Sequence, residues 1–346
     1  MIAVVTGSSG FIGSHLVEAL LARGASVRAL LRPDSVTGHR DPRVKCWHAD
    51  LLDDRSVRES EVWRGATHVF HVGGVTKART LAQFRDGNTI PTANILAALS
   101  ARPSGSVRFI LVSSQAAAGP AESPDRPVTE DDERKPIEAY GRSKGEAEDV
   151  TTRYSQSIPV TILRPGAVYG PRDVDFLNVF KQAVNRVAFH AASREQAMSV
   201  VYVRDLVEAI LIAANARAAV GRTYFVAGEA PVTWGQIYAL VAGFAGVQPI
   251  ELQLPAAALW LAGQAGSLLS LLTGKGLLVN ANKMALARPK WWLCDSSRIR
   301  RELGWSDAVS LQQGILETYL WYVNAGWLRP AAGGTSRNAA NSEESV

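Results

Sequence analysis

Val4-Val5-Thr6-Gly7-Ser8-Ser9-Gly10-Phe11-Ile12-Gly13 places three glycines between a short apolar run and the start of a helical pattern. A strand that turns through glycine into a helix presents backbone N–H groups at a helix N-terminus, where the peptide dipole favours negative charge. A pyrophosphate suits that position. Gly10 leaves the approach clear of a side chain, and Gly13 lets the helix pack close to the sheet. The spacing is GxxGxxG rather than GxGxxG, so the triplet draws its weight from the strand before it and the amphipathic stretch Phe11–Arg23 after it. Gly7, Gly10, Phe11, Ile12 and Gly13 are the candidate cofactor-binding residues of this turn.

Outward from the turn, short apolar runs alternate with helical patterns. Ala3–Thr6, Val27–Leu31, Val69–Val72, Phe109–Ser113 and Thr161–Arg164 read as buried parallel strands, with helices such as Phe11–Arg23 and Thr89–Ala101 between them. This βαβα order predicts an α/β fold: a Rossmann-type, doubly wound parallel sheet with a smaller, mainly helical C-terminal substrate lobe. The nucleotide-binding domain is expected over 1–173, with returns to the main sheet at Val200–Ala214 and Arg222–Val226. The lobe is expected over 174–328, and 329–346, rich in Ala, Gly, Ser and Asn, as a disordered tail.

Composition sets the outer bounds. The 346 residues are 47% apolar and 20% charged, which excludes disordered, collagen-like and disulfide-stapled classes. Two cysteines, Cys46 and Cys294, build no disulfide framework and suggest a reducing, cytoplasmic setting. A net charge of +5 is spread without long basic runs, so no nucleic-acid partner is indicated. The six histidines show no ligand spacing, so no metal is expected, and no GxSxG elbow supports hydrolysis. Met1–Thr6 lacks a basic leader, and a signal peptide is not expected. The stretch 252–274 carries no charge. It reads as a helix pair covering the lobe, as a monotopic membrane-facing helix, or as a span. Pro255, Gly263, Gln264 and Gly266 favour the first, and peripheral membrane contact stays open.

Cofactor choice is read at the end of the second strand. An acidic residue there would bind the ribose hydroxyls of NAD; this chain has Arg32, whose planar fork suits a phosphate, so NADP is preferred to NAD. Otherwise Arg28 and Arg32 are solvated charges. Asp50 either accepts from the adenine amino group or forms a turn or helix cap.

Tyr140 and Lys144 stand four residues apart, on one face of a helix. A tyrosine is a poor base at neutral pH, but a neighbouring ammonium favours the phenolate and makes it a usable acid/base. Ser114, at a strand end 26 residues upstream, is placed to hydrogen-bond the reacting oxygen.

In order, TGSSGFIG, HADL, VSSQAAAG, YGRSK, LRPGAVYGPRD and VYVRDLVEAI resemble extended short-chain dehydrogenases/reductases, the NAD(P)-dependent epimerase/dehydratase family, over Ile2 to Leu328. The branch resembled is that of dihydroflavonol-reductase-like and 3β-hydroxysteroid-dehydrogenase-like enzymes. The resemblance implies an enzyme in which Gly7, Gly10 and Gly13 cradle the pyrophosphate and Asp50 and Leu51 contact adenine. It makes Ser114 the active-site hydroxyl, Tyr140 the acid/base, and Lys144 the residue that binds the nicotinamide ribose and lowers the Tyr140 pKa. Pro165 and Gly166 would pass beside the nicotinamide, and Val168 would line the mouth of the substrate pocket. A homodimer through helices such as Thr89–Ala101 and Glu138–Arg153 is also implied.

Two departures narrow the chemistry. Dehydratases of the family carry an Asp-Glu pair after the hydroxyl, where this chain has Gln115 and Ala116, so water elimination is not expected. The family's H-x-A-A is here His71-Val72-Gly73-Gly74, with His71 read as a structural histidine. The preferred function is an oxidoreductase moving hydride between nicotinamide and a hydroxyl/ketone carbon of a hydrophobic small molecule, sterol-, terpenoid- or flavonoid-like. The alternative is a sugar-nucleotide epimerase with tightly bound NAD. A non-catalytic nucleotide or RNA binder would typically lack the Tyr/Lys pair.

Overall fold

Strand β1 (Ile2–Thr6) is hydrogen-bonded on both sides, to β2 (Ser26–Leu31) and to β4 (His68–His71). This computed structural model describes residues 1–35, 41–102, 107–190, 195–253 and 289–330. With β3 (Lys45–His48), β5 (Arg108–Val112), β6 (Val160–Pro165) and β11 (Arg222–Val226), these strands form a seven-stranded parallel sheet ordered β3-β2-β1-β4-β5-β6-β11. The expected doubly wound sheet is what the chain forms.

The strands hold because both faces are covered. Val4, Leu30, Val69, Phe109 and Ile162 point into one core, with Ile95, Leu96 and Ala147. Their neighbours Val5, Leu31, Phe70, Ile110 and Leu163 point into the other, with Leu16, Leu20 and Ile210. Each fully buried Val, Leu, Ile or Phe contributes about 1.5–3 kcal/mol, which explains runs that are apolar on both faces rather than alternating. Helices α1 (Phe11–Ala22) and α7 (Val203–Asn215) supply the second core; α2 (Asp54–Glu59), α4 (Thr89–Ser100) and α5 (Ala139–Arg153) supply the first. A short helix α3 (Leu81–Gly87) precedes α4.

After β6 the chain leaves the main sheet. β7 (Ala167–Tyr169) pairs with β10 (Val200–Tyr202) in a separate two-stranded sheet, so Val200–Tyr202 is not the return strand that the sequence suggests. The cause is Gly166: a Cβ there would stand 2.4 Å from the Ser199 carbonyl oxygen, an approach that lets the two segments run side by side beyond the sheet edge. Only α7 returns to the main sheet at that point, followed by β11. The lobe core gathers α6 (Leu177–Val184), α8 (Trp234–Ala245) and α10 (Leu311–Asn324) around Phe180, Ile237, Ile315 and Tyr322. A capping box between Thr233 and Gln236 starts α8, and Gly246 in the left-handed region ends it. Small sheets complete the lobe: β8 (Val187–His190) with β13 (Ile250–Gln253), and β9 (Ala197–Met198) between β12 (Val232–Thr233) and β14 (Trp291–Trp292). Helix α9 (Ser297–Leu303) and Trp305 pack against the main sheet, not the lobe.

Of the uncharged stretch 252–274, only Leu252 and Gln253 are described, at the end of β13; the remainder, and the tail from 331, lie outside the described residues. Among the described residues no helix is long and apolar enough to cross a membrane.

Candidate active site

The sheet order reverses between β1 and β4, and ligands of such sheets bind in the crevice beyond the carboxyl ends of the strands. A cleft of about 680 Å³ opens there, lined by Gly7, Ser9, Gly10, Arg32, Asp34, Asp50, Leu51, His71, Gly73 and Gly74 among others.

The glycines of the first turn each have a contact that explains them. Gly7 has φ +68, and a Cβ on it would stand 2.6 Å from Gly73 Cα. A Cβ on Gly13 would stand 2.0 Å from the Gly7 carbonyl oxygen, so Gly13 lets the turn fold down on the helix. Gly10 is the N-cap of α1 and donates to Gly7 O at 3.0 Å; no side chain caps the helix, so N–H groups of its first turn remain for a ligand. Phe11 and Ile12 occupy that first turn, with their side chains against the lobe core. This cradle fits a dinucleotide pyrophosphate.

At the far end, Arg32 is exposed and stands 3.7 Å from Asp34. Arg28 is committed elsewhere, donating to the carbonyl oxygens of Val62 and Arg64, which leaves Arg32, among the described residues, as the arginine lining the cleft. Of the two readings of Asp50 the structure shows the turn, its carboxylate accepting from Leu52 N–H; the residue also lines the cleft. The helix cap nearby is Asp53.

Ser114, Tyr140 and Lys144 come together beside the cleft, outside the residues that line it. Glu138 caps α5, accepting from the N–H groups of Tyr140 and Gly141. Gly141 then lets the helix press on the turn after Ser114, since a Cβ there would lie 2.3 Å from the Ala116 carbonyl oxygen. The phenol of Tyr140 is thereby brought beside Ser114, with the Phe84 ring 6.0 Å away. One turn on, the buried Lys144 donates to the Val112 carbonyl oxygen at 2.8 Å. Gly74 joins this group to the cleft, because a Cβ there would lie 3.6 Å from Lys144 Nζ.

The proton inventory differs from the simple expectation. Burial pushes Tyr140 up to about 12, with the Ser114 hydroxyl pulling the other way. Burial also pulls Lys144 down from 10.5 to about 8, against the attraction of Glu148. That displacement works against the ammonium by roughly 3 kcal/mol. In this state the phenol is protonated, and desolvation outweighs any help from the ammonium.

Pro165, Gly166 and Val168 are not among the residues lining the cleft. Pro165 is buried at the end of β6, Gly166 donates to Val226 O, and Val168 pairs with Val201 between the two cores. His71 is structural: Thr92 gives its proton to Asn88 O, so His71 Nε2 donates to Thr92 and Nδ1 accepts from Thr6. Burial, then the nearby Lys144, holds His71 down to about 3. Arg172 bonds Ser14 and Glu18, while Tyr202 bonds Glu317, so these side chains join elements together.

Sequence reasoning missed two buried groups. Asn88 accepts from Val75 N–H and donates to Ser143 Oγ, fixing the loop after Gly74 to α5. Glu148 accepts from Ser113, Arg164 and Arg134. The only signal for Glu148 was its place one turn after Lys144.

A sequence model of the NAD dependent epimerase/dehydratase family matches residues 3–227. The chain belongs to that family. Among curated relatives, a ceramide reductase of Caulobacter vibrioides is 30% identical over 94% of this chain and 96% of its own length. A 4-hydroxy-2-methyl-3-oxo-4-farnesyl-3,4-dihydroquinoline-1-oxide ketoreductase of Stigmatella aurantiaca is 29% identical over 90% and 93%. Among solved structures, UDP-glucuronic acid 4-epimerase from Bacillus cereus, in complex with UDP-glucuronic acid and NAD, has a TM-score of 0.76 over 94% of this chain and all of its own, at 21% identity. At that identity the likeness shows the extended short-chain dehydrogenase/reductase fold alone. Like its family, the chain is an NAD(P)-dependent enzyme.

Proposed function

We propose that this member of the family is an oxidoreductase that prefers NADP(H) and reduces a ketone carbon on a hydrophobic small molecule. The observation that carries the proposal is that Ser114 and Tyr140 stand side by side with Lys144 one helical turn on, and that Gly74, which lines the glycine-rich cleft, approaches Lys144 Nζ. Two relatives matched along nearly their whole length are named as reductases, of a ceramide and of a farnesylated quinoline, and both names describe apolar molecules. Arg32 at the cleft's far end supports a phosphate on the adenosine ribose.

When bound, a reduced nicotinamide supplies hydride to the carbonyl carbon. Ser114 donates a hydrogen bond to the carbonyl oxygen and fixes its position. Tyr140, protonated in this state, gives its phenolic proton to that oxygen as negative charge develops there. Lys144 then faces the phenolate left behind and holds the ribose hydroxyls. Gly7, Gly10 and the first turn of α1, packed down by Gly13, would hold the pyrophosphate, and Asp50 and Leu51 would hold the adenine. Gln115 and Ala116 offer no carboxylate for water elimination.

Nucleotide titration tests the proposal. The protein is expected to exchange NADP(H) freely and to bind it more tightly than NAD(H). Co-purification of tightly held NAD would favour the epimerase alternative instead.

A further inference from the structure

Glu148 lies one helical turn beyond Lys144, is 2% exposed, and takes no part in the scheme above. Its carboxylate accepts from Ser113 Oγ at 2.5 Å, from Arg164 Nε at 3.0 Å and Nη2 at 2.7 Å, and from Arg134 Nη1 at 3.2 Å. These donors come from three places. Ser113 directly follows β5 and precedes Ser114; Arg164 stands in β6 next to Pro165; Arg134 reaches in from the connection before α5 and also holds Gly145 O. One buried carboxylate therefore ties together the segments that carry Ser114, Lys144 and Pro165.

We infer that Glu148 is a positioning residue, which holds the ends of β5 and β6 against α5 and supplies the counter-charge for the buried Lys144 ammonium. The inference rests on the role proposed for Lys144. The groups around Lys144 make the charge requirement clear. His71 on β4 is neutral, and Tyr140 on α5 is protonated. Arg164 on β6 and Arg134 from the connection are cations, and Asn88 on the α4 side is uncharged. Glu148 is the carboxylate whose attraction reaches Lys144. Replacing it by an uncharged side chain would leave the buried ammonium of Lys144 and the buried guanidinium of Arg164 without a carboxylate, among the described residues, that is shown facing either.

The test uses the full chain without substrate or cofactor: the pH dependence of Lys144 acylation by acetic anhydride, followed by peptide mass. The wild-type midpoint is expected at about 8. Glu148→Gln should lower it by about one pH unit or more, whereas Glu148→Asp, which keeps the charge, should hold it near the wild-type value. A midpoint unchanged in Glu148→Gln would overturn the inference, as would one equally lowered in Glu148→Asp. If Glu148→Gln does not fold, the double variant Glu148→Gln/Arg164→Gln removes both charges of the pair; its midpoint should still fall, though by less than the loss of Glu148 alone would give, because the Arg164 repulsion goes too, and a midpoint at or above wild type would overturn the inference. Because the assay needs no turnover, its failure is distinct from that of the oxidoreductase reading, which would show as activity retained in Tyr140→Phe.

Discussion

Lys144 Nζ donates to the Val112 carbonyl oxygen at 2.8 Å, pinning the helix that carries Tyr140 to the strand end that carries Ser114. Tyr140 is thereby held beside Ser114 before any ligand arrives. Replacing Tyr140 by Phe removes the proton but keeps the ring and its contact with Phe84. Turnover should fall at least about 100-fold, while the nucleotide dissociation constant, measured by fluorescence titration, stays close to wild type. Undiminished turnover would sink the proposed proton donor.

The same lysine sets an alkaline limit. Its ammonium, titrating at about 8 because of burial, is lost as pH rises through that value. In the proposed mechanism that ammonium is the cation set against the phenolate formed at Tyr140. The kcat/KM for carbonyl reduction should decline on the alkaline side with a midpoint near 8. A profile flat to pH 10 would show that the charge is dispensable.

Arg32, exposed and 3.7 Å from Asp34, is among the described residues the arginine that lines the cleft, and it is the one proposed to meet a ribose phosphate; Arg28 is held by the Val62 and Arg64 carbonyls. Arg32→Asp should exchange NADP(H) preference for NAD(H), read as the ratio of the two dissociation constants. An unchanged ratio would remove Arg32 from cofactor choice.

The main sheet was legible because its central strands are buried on both faces, as in β6, where every residue from Val160 to Pro165 is buried. β3 was not. Lys45-Cys46-Trp47-His48 lies at the sheet edge with none of its residues fully buried, so its composition carries little strand signal. The small sheets of the lobe escaped for a different reason. Strands of two to four residues, such as Ala197–Met198 and Trp291–Trp292, exist only because tertiary packing brings them together. At the site, the glycine turn was readable from its place between a strand and a helix, and the Tyr140–Lys144 pair from its spacing taken together with Ser114 and the glycine turn. Glu148 and Arg164 were not, because charged side chains on a helix and a strand read as solvated until their burial is seen.

Gly13 and Gly243 make a matched pair of tests. A Cβ on Gly13 meets the Gly7 carbonyl oxygen at 2.0 Å, and backbone does not yield cheaply, whereas one on Gly243 in α8 meets open space. Gly13→Ala should destabilise the fold by about 1–3 kcal/mol and weaken nucleotide binding. Gly243→Ala should stabilise it by roughly 0.5–1 kcal/mol. Denaturant titration measures both, and equal stabilities would contradict the crowding at the turn.

His71 is 1% exposed and is held neutral down to about 3, well below its ordinary 6.5. Between those values the unfolded chain binds a proton that the folded chain refuses, so stability is lost as pH falls from 6.5 toward 3. The loss from this group is about 1.4 kcal/mol per pH unit inside the window. His71→Gln should flatten the acid-side slope by about one proton in denaturant titrations at pH 6.5, 5.5 and 4.5. An unaltered slope would mean that His71 already titrates normally.

The most direct measurement follows the hydride itself. The protein is incubated with NADPH carrying deuterium at the transferred position of the nicotinamide and with long-chain ketones, and the products are read by mass spectrometry. One deuterium on the new carbinol carbon, matched by one equivalent of NADP formed and absent in Tyr140→Phe, is the predicted result. Conversion of a sugar nucleotide to its epimer with no net consumption of cofactor, and no deuterium in any alcohol, would contradict it.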